Sequence, residues 1–246
     1  MSRFICVLFV VIIVSCTSKN KLDSSVIINK SITVSGGHEI DSTRITFDFR
    51  GKHYIAKRYA GDFLYGRVSV LASDSIFDIL TNDGFERFIN GEKVVVHDTM
   101  ATKYSSSINS VHYFSVLPYG LNSKAVNKKY LGKIIIKGLE FYKIEVTFQE
   151  NGGGEDFDDV FFYYVDVNDF KVKYLAYSYN EDDGLGFRFR EAYNERFIEG
   201  IRFVDYNNYK PKSTYQNLEG IDQLFENDLL ELLSKIELKN IKVSSK

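Results

Sequence analysis

Alternating hydrophobic and polar positions run through most of the chain. Ile45, Phe47 and Phe49 alternate with polar residues, and Gly51-Lys52 marks a turn into the segment HYIAKRY, so this stretch predicts a β-hairpin. Asn90-Gly91 lies between two extended segments, and this dipeptide is a strong signal for a tight hairpin turn. Two hairpins are therefore expected in the first hundred residues.

From residue 133 to residue 209 the same alternation predicts a meander of five antiparallel strands. Their sequences are FYKIEVTFQ, VFFYYVDV, KVKYLAYSY, GFRFREAYNERF and IRFVDYNNYKP. In the first of them, the apolar side chains fall on one face and Lys143, Glu145 and Thr147 on the other. This strand is therefore expected to bury one face only.

Spacings of three and four residues predict helices elsewhere. Residues 24–35 predict a helix that stops at Gly36-Gly37, although their β-branched residues leave a strand as the alternative. Residues 99–117 predict one or two helices that end at Pro118. Near the C-terminus a helix is predicted around Ile221 to Phe225, a second short helix over residues 228–235, and a final strand over 236–243.

Composition is consistent with a β-rich globular chain that has a sizeable core. Hydrophobic residues make up 44% of the chain and aromatic residues, all Phe and Tyr, 15%; these ring types favour strands. The formal net charge is −2 with no basic run, which argues against nucleic acid as a partner. Residues 24–246 are expected to form a single domain.

The N-terminus carries an apolar run, from Phe4 to Val14, which at about 11 residues is too short for the roughly 20 that a membrane-spanning helix needs. Behind Arg3, the run has the layout of a secretory signal. Ile13-Val14-Ser15-Cys16 resembles the lipobox of bacterial lipoproteins. The resemblance implies a signal peptide over 1–15 and a lipidated Cys16 at the head of a tether over 16–23; ordinary cleaved secretion and a retained anchor are the alternatives.

A lipid on Cys16 implies attachment to a membrane of the cell envelope. The second residue after Cys16 is Ser18 rather than Asp, which by the sorting rule of diderm bacteria favours the outer membrane, facing the periplasm. Because Cys6 would be removed with the signal peptide, no disulfide and no thiolate metal site is expected in the mature chain.

Longer phrases carry a second resemblance. FDFRGKHYIAKR, NDGFERFINGEKV, SVHYFSVLPYGLN and FREAYNERFIEGIRFVDYNNYKP resemble an uncharacterised lipoprotein family of diderm bacteria, a domain of unknown function with no assigned catalytic residues. The order of elements also resembles the Lol-type periplasmic lipoprotein carriers. This likeness implies an α+β fold in which a curved antiparallel sheet forms an open half-barrel, helices cover its concave face, and residues 99–121 act as plug or lid.

If such a half-barrel contains a cavity, the alternation along its strands predicts which side chains line that cavity. The candidate lining residues are Tyr142, Ile144, Val146, Phe148, Phe187, Phe189 and Tyr193, together with Glu191 and Glu195. Two carboxylates in an apolar cavity are costly unless they have a function or a partner. The alternative is that both glutamates pair with basic residues or lie near an open rim.

Two acidic loops are expected at the same end of the meander. The segments ENGGGEDFDD and NEDDG supply the candidate calcium ligands Glu155, Asp156, Asp158, Asp159, Asp182 and Asp183. Calcium prefers six to eight oxygen ligands on flexible loops, but the spacing differs from an EF-hand. A solvated rim and a docking patch for an envelope protein are the alternatives.

No catalytic motif appears in the sequence. The four histidines lack metal-ligand spacing, and neither a nucleophile elbow nor a P-loop is present. We therefore expect no enzyme and no cofactor, with an envelope hydrolase as the remaining enzymatic possibility. The main prediction is a carrier of a lipid or other apolar ligand; the competing one is an envelope scaffold whose concave face is filled by its own helices.

Overall fold

Two antiparallel sheets of seven strands each form the frame of the molecule. The computed structural model describes residues 23–151, 157–181, 184–213, 215 and 217–245. The first sheet has the order β14-β1-β2-β3-β4-β5-β6. Its strands are β1 (Thr43–Phe49), β2 (Lys52–Tyr59), β3 (Asp62–Leu71), β4 (Asp74–Thr81), β5 (Gly84–Ile89), β6 (Glu92–Val94) and β14 (Lys239–Ser245).

The second sheet has the order β13-β12-β11-β10-β9-β8-β7, so β7 to β13 follow one another as a meander. Its strands are β7 (Val126–Ile136), β8 (Leu139–Phe148), β9 (Val160–Asp166), β10 (Val172–Glu181), β11 (Gly184–Ile198), β12 (Ile201–Pro211) and β13 (Leu230–Ile236). The five strands predicted between residues 133 and 209 are confirmed as β8 to β12. Since β13 leads directly into β14, the chain passes from one sheet to the other at that point.

Four helices accompany the sheets among the described residues: α1 (Ser24–Val34), α2 (Gly37–Ile40), α3 (Asp98–Ser115) and α4 (Ile221–Glu226). Ile27, Ile28 and Ile32 of α1 are buried against the second sheet. Complete burial of one such side chain stabilises a fold by about 1.5–3 kcal/mol. Because residues 24–34 form α1, the helix predicted over residues 24–35 is confirmed and its strand alternative is not.

The second sheet is buried on both faces. Its inner face, which carries Ile144, Tyr163 and Leu175, packs against α1 and the segment after α3. Its outer face, which carries Phe162 and Phe189, packs against α4. The prediction that β8 buries one face only is wrong, because α4 covers the outer side of the strand as well.

The α+β class and the antiparallel half-barrel predicted from the sequence are confirmed, with α1 and α3 on the inner side. Residues 98–115 form one continuous helix, which begins one residue before the predicted range of 99–117 and ends two residues before its end. The short helix predicted over 228–235 is wrong: residues 230–235 belong to β13, because pairing with β12 satisfies their backbone. The final strand, by contrast, is confirmed as β14.

Candidate functional site

A cavity of about 870 Å³ opens between α3 and the inner face of the second sheet. One wall is the last two turns of α3, from Ser107 to Ser115. The opposite wall comes from β9 to β12, and the turn between β1 and β2 and strand β13 close the remaining sides. The cavity therefore lies where the two sheets and α3 meet.

Aromatic and aliphatic side chains make up about half of the wall of this cavity, and polar or charged side chains make up the rest. Its described residues include nine aromatic side chains: Phe49, Tyr54, Tyr113, Phe114, Phe148, Phe161, Tyr177, Tyr179 and Tyr206. Aliphatic side chains come from Val111, Val204, Leu233, Ile236 and Leu238. Such a wall suits an apolar ligand, whose burial is favourable at about 25 cal/mol per Å².

Aromatic contacts fix α3 over the second sheet beside the cavity. The hydroxyl groups of Tyr113 and Tyr163 are 2.5 Å apart and share a hydrogen bond. Burial raises the pKa of both tyrosines, so both hydroxyls stay protonated at neutral pH. The ring of Phe114 lies 5.4 Å from that of Tyr177, centroid to centroid. The C-terminal end of α3, which forms one wall of the cavity, is thus held against the second sheet, which forms the other wall, by a hydrogen bond and an aromatic contact.

Arg190 of β11 brings a charge to this wall. Its guanidinium carbon lies 3.8 Å from the centroid of Phe114, a cation–π contact, and its Nη2 donates a hydrogen bond of 2.6 Å to the hydroxyl of Tyr177. The residue as a whole is only 8% exposed. Its Nε–H has no acceptor among the described residues.

The predicted lining residues fall into two separate groups. Phe148 lies on the cavity wall. Tyr142, Ile144 and Val146 lie on the same inner face, in the cluster beneath α1 rather than on that wall. The apolar side chains of strand β8 therefore face the inner side of the sheet, as the alternation predicts.

Phe187 and Phe189 lie on the outer face with α4, so the prediction that they line the inner cavity is corrected. The reason is the register of β10 and β11: Phe189 is opposite Ala176 on the outer face, whereas Arg190 is opposite Leu175 on the inner one. The inner face of β11 thus carries arginines. Sequence reasoning missed Arg190 because it placed the aromatic side of this strand inward.

Glu191 and Glu195 have basic partners, as their alternative reading proposed. Lys137 donates to Glu191 at 2.7 Å, and although burial raises the pKa of Glu191, hydrogen bonds from Lys137 and Asn207 lower it overall. Glu195 accepts hydrogen bonds from Lys171 at 2.5 Å and Arg202 at 2.6 Å. Burial raises its pKa, but these bonds bring it down to about 2.

Tyr193 is the remaining candidate from β11. Its hydroxyl donates to Glu237 at 2.9 Å. Burial and the negative charge of Glu237 raise the pKa of Tyr193 to about 12. The residue ties β11 to the turn before β14 and is not among the side chains of the cavity wall.

The acidic loops are only partly within the described residues. Glu155, Asp156, Asp182 and Asp183 lie outside them, whereas Asp158 and Asp159 lie on the cavity wall. Asn180 at the end of β10 donates to Asp158 at 2.6 Å, so the two loop ends meet at one end of the sheet. No group of three metal-binding side chains occurs among the described residues. Calcium binding and partner docking stay predictions.

Cys16 and the signal segment over 1–15 also lie outside the described residues. From residue 23 onward, no helix that the structure describes has the length and apolar character required to cross a bilayer.

Comparison with solved structures finds related shapes at low sequence identity. A LolA superfamily protein from Nitrosomonas europaea is 9% identical over 91% of this chain and 92% of its own, with a TM-score of 0.48. A DUF1329 family protein from Desulfovibrio piger is 10% identical over 89% and 92%, with a TM-score of 0.42. A putative outer membrane lipoprotein-sorting protein domain from Vibrio parahaemolyticus is 6% identical over 89% and 93%, with a TM-score of 0.31.

Among curated proteins, no sequence matches the chain. A match to a protein family, in contrast, extends over residues 2–238, nearly the whole chain, and its description is a family of unknown function. The predicted membership of a family without assigned function is therefore confirmed. The chain belongs to family DUF6503.

Proposed function

We propose that the protein is a non-enzymatic binder or carrier of a lipid or another apolar ligand. The observation that carries this proposal is the cavity of about 870 Å³ with its aromatic and aliphatic wall. Ligand sites commonly have volumes of about 300–1,000 Å³ and a mostly apolar lining with a few polar groups.

The ligand would enter by movement of α3. This helix forms one wall of the cavity and covers most of the segment 99–121 that the sequence suggested as a lid. Its end is attached to the second sheet mainly through Tyr113 and Phe114. A small displacement of these rings widens the cavity without breaking a backbone ladder.

We further propose that the chain works from a membrane of the cell envelope, to which a lipidated Cys16 would attach it. The lipobox-like segment before Cys16 supports this proposal. Replacement Cys16→Ser is expected to abolish incorporation of labelled palmitate and to move the protein from the membrane fraction to the supernatant. Unchanged incorporation in the variant contradicts a lipid on this residue.

Cavity binding can be tested by filling the cavity. Ser110 lies on the cavity wall in α3, so Ser110→Phe places a ring in the space proposed for the ligand. With the fluorescent polyene cis-parinaric acid as probe, we expect the wild type to bind and Ser110→Phe to bind about tenfold more weakly.

A matched control comes from the same helix. Thr102 of α3 is exposed and away from the cavity wall, so Thr102→Phe adds the same ring without entering the cavity. This variant should bind the probe as the wild type does. Equal binding by Ser110→Phe and the wild type would place the probe elsewhere and contradict the proposed site.

A further inference from the structure

The positive charge of Arg190 has no carboxylate partner among the described residues. Four arginines are buried in the part of the chain that the structure describes: Arg58, Arg67, Arg190 and Arg202. Arg67 pairs with Asp78 at 2.7 Å and Arg202 with Glu195 at 2.6 Å. Arg58 donates through Nε to the hydroxyl of Tyr65 at 3.1 Å. Of these four, Arg190 alone has a buried N–H without an acceptor.

Contacts with aromatic rings satisfy only part of the hydrogen-bonding capacity and charge of a buried guanidinium. Phe114 and Tyr177 stack on or bond to Arg190, but no carboxylate of the described residues lies within ion-pair distance of it. A buried cation is normally paired with an anion, because desolvation of an unpaired charge is costly. The group that Arg190 lacks is an acidic oxygen, and the guanidinium borders the cavity.

A second unsatisfied polar group is the neighbour of Arg190. Asn208 of β12 is opposite Arg190 in the strand register, so both side chains project from the inner face. Asn208 also lies on the cavity wall, is 6% exposed, and donates through Nδ2 to the hydroxyl of Ser234 at 3.2 Å. Its Oδ1 has no donor among the described residues.

The charged side chains on the cavity wall also favour an anionic ligand. Among the described residues that line the cavity, four are basic, Arg50, Lys52, Arg188 and Arg190, and two are acidic, Asp158 and Asp159. The whole chain, by contrast, has a formal net charge of −2. An excess of positive charge within a low-dielectric wall attracts anions.

We propose that the cavity selects an amphiphile with an acidic head group, a carboxylate or a phosphate, and that Arg190 with Asn208 forms the head-group subsite. This inference rests on the proposed function, because the apolar side chains of the wall would hold the tail of the same ligand. The guanidinium supplies charge-assisted hydrogen bonds to the acidic oxygens. The amide oxygen of Asn208 accepts a hydrogen bond from a protonated oxygen of the head group, such as the remaining hydroxyl of a singly ionised phosphate.

The test compares ligands that share a tail and differ in the head. Binding of hexadecanoic acid, hexadecyl phosphate and hexadecanol to the full chain, held in amphipol, is measured with radiolabelled ligand. The wild type is expected to bind at least one of the acids about tenfold more tightly than the alcohol. The acid that is preferred identifies a carboxylate or a phosphate head group.

Variants assign the preference to the subsite. Arg190→Met should bind the acid and the alcohol equally, whereas Arg190→Lys should keep part of the preference. Arg188→Met is the matched control: it removes a neighbouring charge from the same wall, and Arg188 already donates to the carbonyl of Phe187 at 2.8 Å. This control should keep most of the preference for the acid.

The two proposals fail in different ways. Equal binding of acid and alcohol by the wild type overturns the head-group subsite and leaves the apolar carrier standing. Binding of none of the three ligands overturns both. If Arg188→Met loses the preference as fully as Arg190→Met, the charge of the whole wall acts, and the assignment to Arg190 is overturned. Thermal melting of each variant shows that it is folded, and Arg190→Lys still tests the subsite if Arg190→Met is not.

Discussion

The guanidinium of Arg190 stacks on the ring of Phe114, with 3.8 Å between the guanidinium carbon and the ring centroid. Phe114 lies in the last turn of α3 and Arg190 in the middle of β11. The contact therefore joins the helix that covers the cavity to the sheet that forms its floor. The same arginine also carries the charge that faces the proposed head group, so helix position and ligand binding depend on one side chain.

This contact can be measured with a double-mutant cycle. Phe114→Leu keeps an apolar side chain but removes the ring, and Arg190→Met removes the cation. We expect the two effects on the free energy of unfolding to be coupled by about 1 kcal/mol, as partly buried cation–π pairs are. Urea denaturation of the two single variants and the double variant gives this value. Additive effects would mean that the ring and the cation do not stabilise each other.

His112 predicts a dependence of stability on pH. Burial lowers the pKa of His112 to about 3, since the ring packs among Phe47, Tyr54 and Tyr65 in α3's interface with the first sheet. In the unfolded chain its pKa is about 6.5, so below that pH the unfolded state binds a proton that the folded state does not. Stability should therefore fall as pH falls, by about 2 kcal/mol between pH 7.5 and pH 5.

The control for this effect is His112→Phe, which keeps a ring in the same cage but cannot bind a proton. Urea denaturation across the same pH range should give a nearly flat curve for the variant. Carboxylates with lowered pKa, such as Glu195, lose their contribution only at lower pH, below about 4.5. A wild type and a variant with the same slope above pH 5 would show that His112 is not the group responsible.

Glu195 should matter for stability because of the arginine that it neutralises. Arg202 is 3% exposed, and Glu195→Gln leaves its guanidinium without a carboxylate. We expect a loss of about 2–4 kcal/mol in the free energy of unfolding. Glu231→Gln is the matched control, because Glu231 pairs with Lys210 at the surface at 3.2 Å; its cost should stay below about 1 kcal/mol. Similar costs for both variants would contradict this account.

A glycine determines how α1 meets the turn between β11 and β12. Gly36 has a φ of +70°, and a Cβ added there would lie 2.0 Å from the carbonyl oxygen of Gly200. Gly51 has a φ of +72° but nothing within 4 Å of an added Cβ. Gly51→Ala should therefore cost only about 1 kcal/mol for the backbone conformation, and Gly36→Ala several times more. Thermal melting of both variants compares their melting temperatures directly. Equal decreases in melting temperature would show that the backbone moves away from Gly200 without loss of stability.

Local pattern was sufficient for much of the fold. The alternation around Ile144 and the turn at Asn90-Gly91 are properties of short segments, and both predictions are confirmed in β8 and in the β5–β6 hairpin. Residues 228–235, most of which belong to β13, were predicted as a short helix. Leu232 is 50% exposed, so pairing with β12 rather than burial of an apolar helix face decides the conformation of this segment.

The candidate site was less accessible to sequence reasoning. Which face of β11 points inward depends on its register with β10 and on α4, which covers the other face. Apolar rings on one side and arginines on the other suggested that the rings face the interior. Because both faces are buried, the rings of Phe187 and Phe189 contact α4 and the arginines reach the cavity. A buried arginine on a wall of rings is a tertiary feature that one strand cannot reveal.

The central claim is that the cavity holds an apolar ligand, and native mass spectrometry tests it most directly. The chain from Thr17 onward, which contains every residue that the structure describes, would be produced in a bacterial periplasm and analysed both intact and after extraction with organic solvent. We expect a mass above that of the bare chain, a lipid in the extract, and loss of that lipid in Ser110→Phe but not in Thr102→Phe. A wild-type protein that carries no lipid, and that takes up none when offered the extracted envelope lipids, would contradict the account.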